Sequence, residues 1–313
     1  MAYTRRRSGL SRARRRTARS AKKSYRRSTV KTRRYAPKRK LMSRKRILNV
    51  TSTKKRDTMM PYTNTTNVGA QDTSPKTNPY TTNGGRTGWV LWCPTARDLT
   101  PGTGSALTPY PAQGDRASSL CYMRGLSEHL KVSTSTGLPW LWRRICFTHK
   151  GISVFRQAQA NDTPVIPSYS SVETSNGMQR AWYDINLAGI DNTWATMRDL
   201  LFTGREGVDW NDSITAPVDT TNINLKYDKT TRISSGNANG IYREYKLWHP
   251  MNKNLKYNDD ESGIGEATTL WSTGSKMGMG DYYVLDIFQP GAGSTTSDLL
   301  QVNSTSTQYW HER

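Results

Sequence analysis

The stretch YYVLDIF at residues 282–288 has the strongest strand-forming composition in the chain and decides its fold. Aromatic and branched residues fill it, and these types favour a pleated, buried surface. Alternation places an uninterrupted apolar set on one face of the strand and a carboxylate on the other. We therefore expect Tyr283, Leu285 and Ile287 to lie between two packed sheets. Asp286 is expected at the sheet exterior or at a contact with another chain.

A second apolar run, WLWRRICFTH at residues 140–149, carries large apolar groups on both of its faces. Because alternate residues of a strand point to opposite sides, this pattern predicts a strand that is covered on both sides. Arg143 and Arg144 are expected to emerge at an interface. Residues 120–134 are expected to supply one long strand or two. Other strands are predicted at residues 47–53, 89–93, 178–187, 223–233, 242–248, 256–258, 299–302 and 308–311.

One short helix is predicted, at residues 192–202 (NTWATMRDLLF), where Trp194, Met197 and Leu201 recur at helical spacing and Gly204 follows as a stop. Segments rich in Pro, Gly, Thr and Asn at residues 58–88 and 100–114 are interpreted as long loops. Eight to ten strands with long, irregular connections favour an all-β jelly roll of two packed antiparallel sheets over tight meanders or βαβ units.

The positive charge of the chain is concentrated at its beginning. Of the 46 basic residues, 24 precede Asp57, and none of the 24 acidic residues does. Residues 57–313 therefore hold 22 basic and 24 acidic residues and are nearly neutral. Such a polycation cannot form a compact structure on its own, because it is hydrophilic and its positive charges repel one another. We interpret residues 1–45 as a basic arm, disordered or bound to nucleic acid, and residues 46–313 as the jelly-roll domain.

Nucleic acid is the partner that best fits this arm. Each Lys or Arg that neutralises a phosphate releases condensed counterions, and the guanidinium group of Arg binds phosphate oxygens through two parallel hydrogen bonds. Tyr3, Tyr25 and Tyr35 are interleaved with the cations, where their rings can stack on unpaired bases. The candidate nucleic-acid-binding residues are Arg5, Arg6, Arg7, Arg12, Arg14, Arg15, Arg16, Arg19, Lys22, Lys23, Arg26, Arg27, Lys31, Arg33, Arg34, Lys38, Arg39, Lys40, Arg44, Lys45 and Arg46.

Three other uses of a basic arm are weighed against this one: nuclear import, attachment to an anionic membrane, and solubility alone. Import signals are shorter than this arm, so import is expected to coexist with nucleic-acid binding. The membrane alternative lacks an apolar helical face, and Ala2 stands where N-myristoylation needs glycine. The residues assigned to import are Lys38, Arg39, Lys40, Arg44, Lys45 and Arg46.

No pattern typical of a catalytic or metal site is found in the sequence. The four histidines are isolated, there is no phosphate-binding loop of the G-x-x-x-x-G-K-[ST] type, and the three cysteines are far apart. We expect buried thiols in a reducing compartment, no cofactor and no enzymatic activity. Asp259, Asp260 and Glu261 form the densest acidic cluster. A solvated hairpin turn is favoured there over a divalent-cation site.

The chain resembles the capsid proteins of genomoviruses, which are small circular single-stranded DNA viruses. More distantly, it resembles those of geminiviruses and circoviruses. The likeness runs through most of the chain. The segments that carry it are MAYTRRR at 1–7, WRRICFTHKG at 142–151, YKLWHPMNK at 245–253, YNDDESG at 257–263 and GDYYVLDIFQP at 280–290.

This resemblance implies an eight-stranded viral jelly roll and sixty copies in a T=1 icosahedral shell. It also implies an inward-facing arm on the viral single-stranded DNA genome, and import into the host nucleus before assembly. The partners expected on this basis are the genome, further copies of the chain and the host import machinery, and the expected locations are the virion and the nucleus. A cellular chromatin or ribosomal protein is the alternative, although such proteins usually scatter basic residues over the folded part as well.

Overall fold

A computed structural model describes residues 42–100 and 113–312, except for the side chain of Lys45. Its compact unit spans Arg44–Arg313. The described residues form two α-helices, one 3-10 turn at Ile185–Leu187 and fifteen strands. In chain order these are α1 Arg44–Thr51, β1 Thr53–Met59, β2 Pro61–Thr65, β3 Gln71–Lys76, β4 Tyr80–Asn83, β5 Gly88–Trp92, β6 Leu120–Thr134, β7 Trp140–His149, β8 Val172–Thr174, β9 Gly177–Trp182, α2 Asp191–Leu201, β10 Asn224–Ile233, β11 Tyr242–Lys256, β12 Asp260–Ser262, β13 Gly265–Ala267, β14 Asp281–Pro290 and β15 Leu299–Glu312.

Two antiparallel sheets pack face to face and define the fold. The first sheet has the order β1-β15-β6-β11, with β4 also paired to β15, and the second has the order β10-β7-β14-β5. In chain order, the eight main strands are β1, β5, β6, β7, β10, β11, β14 and β15. The first, third, sixth and eighth of them, which are β1, β6, β11 and β15, belong to the first sheet. The other four belong to the second. This is the strand order of an eight-stranded jelly roll, and it confirms the predicted fold class.

Two smaller sheets are added to this sandwich. One has the order β3-β2-β9-β8, with β2 and β9 parallel, and the other is the hairpin β12-β13. The first of them contributes to the interior, because Trp182 at the end of β9 is buried and stacks on Tyr80 of β4 with ring centroids 5.7 Å apart. Trp182 also donates a hydrogen bond from Nε1 to Ser304 Oγ of β15 at 2.8 Å.

An outer layer covers the side of the second sheet that faces away from the first. It includes α2 and the segment that follows β7. Trp194 of α2 meets Trp89 of β5 with ring centroids 4.4 Å apart, and Phe155 packs on Phe147 of β7 and Tyr283 of β14. The prediction that β7 is covered on both sides is therefore confirmed. Its arginines do not emerge at an interface, because both are buried inside the chain.

The predicted facing of β14 is wrong. Asp286 is fully buried, and its carboxylate accepts hydrogen bonds from Arg144 of β7, which also pairs with Glu128 of β6 in the opposite sheet. Asp286 therefore points into the space between the sheets. The apolar set Tyr283, Leu285 and Ile287 packs beneath the outer layer instead. An unbroken apolar face marked the better-covered side of the strand, but not the side that meets the other sheet.

Three other predictions are corrected. Residues 47–53 were expected to form a strand, but most of them belong to α1. The same helix spans the predicted boundary between the basic arm and the jelly-roll domain, which was placed between residues 45 and 46. Residues 58–88 are not one long loop, since the end of β1 and all of β2, β3 and β4 lie there. Residues 242–258 hold one long strand rather than two around Pro250. The edge position of β11 tolerates a residue that has no backbone N–H to donate.

The strand predicted at residues 178–187 is correct only in its first half, because β9 ends at Trp182 and Ile185–Leu187 form the 3-10 turn. The remaining elements agree closely with the sequence. Helix α2 covers the predicted segment almost residue for residue, and β10 begins one residue after the predicted start. Residues 120–134 form one strand, and residues 299–312 join two predicted short strands into a single long one. Cys93, Cys121 and Cys146 are buried and free, as expected.

Candidate nucleic-acid interface

Most of the predicted nucleic-acid-binding residues, from Arg5 to Lys40, lie outside the described residues. Arg44 and Arg46 lie on α1, where both are exposed, and Lys45 belongs to the same helix. The same holds for the import hypothesis, since Lys38, Arg39 and Lys40 fall outside the described range. The described part of the chain nevertheless offers a second basic surface, on the outer face of the first sheet.

That surface is assembled by the pairing of β1 with β15. Alternation along β1 turns Lys55 inward, where it forms an ion pair with Glu312 at 3.1 Å, and leaves Lys54 and Arg56 exposed. In the register of the two strands, Lys54 lies opposite His311 and Arg56 opposite Tyr309. Each outward cation of β1 therefore has a ring as its cross-strand neighbour.

A bulge in β6 adds a third cation and a flat aromatic surface. The register between β6 and β15 shifts at Tyr309, and this leaves Arg124 exposed beside Gly125. Gly125 has a φ of +153°, and a Cβ placed there would come within 2.7 Å of the Trp248 ring. Only glycine fits beneath this indole. The half-exposed Trp248 thus covers the bulge, 5.9 Å from the ring of Tyr309.

Tyr122 and His311 form a second ring pair, with centroids 6.0 Å apart. Partial burial lowers the pKa of His311 below its usual value, and the charges of Arg124 and Lys54 lower it further. The imidazole is therefore neutral at pH 7 and presents a ring to solvent rather than a charge. We call this surface the platform. It consists of Lys54, Arg56, Tyr122, Arg124, Trp248, Tyr309 and His311.

The rest of the same sheet face continues the positive charge. Lys131 lies over the ring of Tyr242 at 5.0 Å, and Lys246 is exposed on β11. Within the described residues, the one carboxylate on this face is that of Glu244, which pairs with His129 at 3.2 Å. A negatively charged strand that crosses the face therefore meets cations and rings with little repulsion.

The inner face of the same sheet is organised differently. Glu128 of β6 pairs with Arg144 and with Arg180 of β9, and Asp286 accepts hydrogen bonds from both arginines. All four side chains are buried, and their formal charges cancel. Burial alone would raise the pKa of Glu128, but the two arginines outweigh it and hold the pKa at about 2. We call these four residues the interior cluster.

His249 borders the interior cluster from β11. Its Nε2 lies 3.3 Å from Arg144 Nη1, and its ring lies 5.1 Å from that of Tyr227. Burial and the Arg144 charge lower the pKa of His249 to about 4. The interior cluster lies in the protein core, has its partners within the chain and offers no opening to a substrate.

The acidic triplet forms part of a hairpin. Asp260 and Glu261 are exposed on β12, while Asp259 is buried and pairs with Arg116. No group of three or more His, Cys, Asp or Glu residues suited to a metal ion occurs within residues 42–100 and 113–312. Burial raises the pKa of the Cys93 and Cys121 thiols well above the ordinary value, and raises that of Cys146 to about 12. These thiols are therefore protonated and unreactive at neutral pH.

Comparison of the chain with protein-family models and with curated proteins found no match. No helix among the described residues is long and apolar enough to span a membrane.

Sequence reasoning missed the platform. Two local patterns point to it: the alternating cations of Lys54 and Arg56, and the exposed positions of Lys246 and Trp248 on one face of β11. Neither pattern indicates that β1 and β11 share a sheet, with β15 and β6 between them.

Proposed function

We propose that the chain is a viral capsid protein that assembles into a sixty-subunit T=1 shell and packages circular single-stranded DNA. The observation that carries this proposal is the combination of a jelly-roll body with a chain whose whole positive excess lies before residue 57. A nearly neutral body lets copies pack together without long-range repulsion, while the arm supplies the charge that a packaged polyanion requires.

The amount of charge agrees with this use. Sixty copies, each with 24 basic residues before Asp57, would contribute about 1,400 positive charges, the order needed to offset a genome of roughly two thousand phosphates. The resemblance to genomovirus capsid proteins, carried by segments such as GDYYVLDIFQP at 280–290, points the same way.

The platform supports binding of unpaired rather than duplex nucleic acid. Its rings are held side by side on a rigid sheet and flanked by Arg56 and Arg124, which suits bases that stack while phosphates contact cations. In a duplex the bases are already stacked on one another, so the rings of the platform would have no exposed base face to stack on. We therefore propose that the platform faces the genome.

Particle sizing of the full chain tests the shell. With circular single-stranded DNA present, the expected product is a discrete particle of about 2 megadaltons, from sixty subunits of 35.4 kDa. A chain that binds DNA but stays monomeric or forms heterogeneous complexes would reject the shell and favour a cellular nucleic-acid-binding protein.

Deletion of residues 1–40 tests the arm. High-affinity DNA binding should be lost while the thermal unfolding transition remains. An unchanged dissociation constant after the deletion would reject the arm as the main binding element. Residues 1–56 fused to a cytosolic reporter should carry it into the nucleus, and a reporter that stays outside would reject the import role.

A further inference from the structure

A cleft of about 530 Å³ lies between strand β10, at the edge of the second sheet, and strand β11, at the edge of the first, and the backbone N–H of Met279 closes it on one side by donating to the carbonyl oxygen of Asn254 at 2.9 Å. A second hollow of about 670 Å³ adjoins it and shares Thr148, Lys150 and Asn224 in its lining. Among the described residues, no carboxylate lines the cleft, although acidic side chains are common elsewhere on the body.

Two lysines give the cleft its charge. Lys226 of β10 and Lys253 of β11 both line it and lie close enough to repel each other, and neither forms an ion pair with a carboxylate in the described part of the chain. Partial burial lowers the pKa of Lys226, and the charge of Lys253 lowers it further. Two like charges held this way repel each other until an anion lies between them.

Lys150, the third lysine at the cleft, has a different role. Its Nζ donates to the carbonyl oxygens of Ser275 and Lys276 at 3.1 and 3.0 Å. Its hydrogen bonds hold the loop that forms one wall. The anion-binding charge therefore comes from Lys226 and Lys253.

Two side-chain amides line the cleft together with these cations. Asn224 Oδ1 accepts a hydrogen bond from Lys226 Nζ at 2.6 Å, and Asn252 Oδ1 accepts one from Arg124. Since the oxygen of each amide is engaged, its Nδ2 group is left to donate. Such donors suit phosphate oxygens and the carbonyl oxygens of bases.

Tyr122 connects the cleft to the platform, because its ring belongs to both. An aromatic ring and two cations in the lining of one cleft suit the two halves of a nucleotide, the base and the phosphate. The volume is within the usual range for a small-ligand site, roughly 300–1,000 Å³.

We propose that this cleft binds one unpaired nucleotide of the strand that crosses the platform, with the phosphate between Lys226 and Lys253 and the base against Tyr122. This inference rests on the proposed binding of single-stranded DNA and adds a defined subsite to it. The strand then turns from the face of the first sheet around its edge, instead of running straight across.

The test uses the full chain and a fluorescent deoxyadenosine monophosphate, with affinity measured by anisotropy. The double variant Lys226→Gln/Lys253→Gln should weaken binding at least tenfold, and Tyr122→Ala should weaken it about fivefold or more. Lys229→Gln, an exposed lysine on the same strand outside the cleft lining, is the matched control and should leave the affinity unchanged. All variants keep the arm, so nucleotide binding to the arm is the same background in each titration, and the comparison is made on the remaining component.

Equal affinity of the unsubstituted chain and the double variant would overturn the site. Inorganic phosphate that competes as well as the mononucleotide, together with no effect of Tyr122→Ala, would overturn the assignment of a nucleotide. Competition by a sulfated disaccharide at the same concentration would overturn it as well. This test of the nucleotide site is independent of shell assembly. If the chain forms no particles but the double variant loses mononucleotide binding, the proposed shell is rejected and the nucleotide site is retained.

Discussion

The arginines of the interior cluster and the cations of the platform lie on opposite sides of the same sheet. Arg144 and Arg180 are buried and each contacts two carboxylates, whereas Arg56 and Arg124 are exposed and pair with none among the described residues. A guanidinium removed from water needs a compensating charge, because desolvation is costly. A guanidinium that remains at the surface can still attract a negatively charged partner. Arg144 and Arg180 therefore hold the sheets together, whereas Arg56 and Arg124 are available for binding.

The strongest test of this difference is the removal of one carboxylate from the interior cluster. Asp286→Ala leaves both arginines buried with Glu128 alone, and should lower the free energy of unfolding by about 3–5 kcal/mol. Urea unfolding of the unassembled chain, followed by tryptophan fluorescence, measures the loss. Glu244→Gln on the outer face is the matched control and should stay within about 0.5 kcal/mol. A loss below 1 kcal/mol for Asp286→Ala would show that the interior cluster does not hold the sheets.

As the pH falls, the groups on the inner side of the sheet should lower the free energy of unfolding more than those on the outer side. Unfolded His249 takes up a proton near pH 6.5, but the folded residue does so only near pH 4. Between these values the unfolded chain binds more protons, so stability falls as the pH falls. The expected contribution is roughly 2–3 kcal/mol. The charged or titratable groups around this ring are Arg144, Glu128, Asp286, Arg180, Cys146 and Tyr227.

The variant His249→Gln should flatten the dependence of unfolding free energy on pH between 6.5 and 4. His311→Gln, on the platform, should flatten it less, because that imidazole is only partly buried. Equal slopes for the two variants would contradict the difference between the faces.

The rings of the platform should contribute to binding but not to folding. Trp248→Ala removes a stacking surface and should cost about 1–3 kcal/mol in affinity for a single-stranded oligonucleotide. The slope of affinity against salt concentration should not change, since no charge is lost. Ile264→Ala, which removes an exposed apolar side chain from the turn between β12 and β13, serves as the control. A loss of affinity for duplex DNA equal to that for single strands would argue against stacking.

Single charges on the platform should give the smallest effect. Arg56→Gln should lower the slope of log affinity against log salt by about 0.7, with the free energy of unfolding unchanged within about 0.5 kcal/mol. Lys76→Gln, on β3, changes a surface charge outside the platform and should leave the slope as it is. A drop in stability above 1 kcal/mol would show that Arg56 has a structural role like that of Arg144.

The β-rich body was predictable because strand composition is local. Segments 140–149 and 282–288 carry enough aromatic and branched residues to be recognised alone. The facing of Asp286 was not predictable from periodicity, because its burial depends on partners from β7 and β9. The helix at Arg44–Thr51 was missed because Ile47 and Val50 favour strands, while the side chains there are largely exposed and impose no sheet register.

The platform was harder still to predict, because no short window of sequence contains it. Lys54 and His311 are cross-strand neighbours separated by more than 250 residues. Charge counting recognised the arm, where cations are contiguous, but could not recognise the sheet face, where they become neighbours only after the strands pair.

The central position of β15 has a consequence for the order of events during synthesis. This strand lies between β1 and β6, so the first sheet cannot close until residues 299–312 have left the ribosome. Contacts that span most of a chain form slowly, because a large loop must close first. A nascent chain therefore carries its cationic segment for nearly the whole of translation before Tyr309 and His311 complete the surface on the sheet. Under the proposed function, charge-driven attraction of this segment to nucleic acid would precede recognition of unpaired bases.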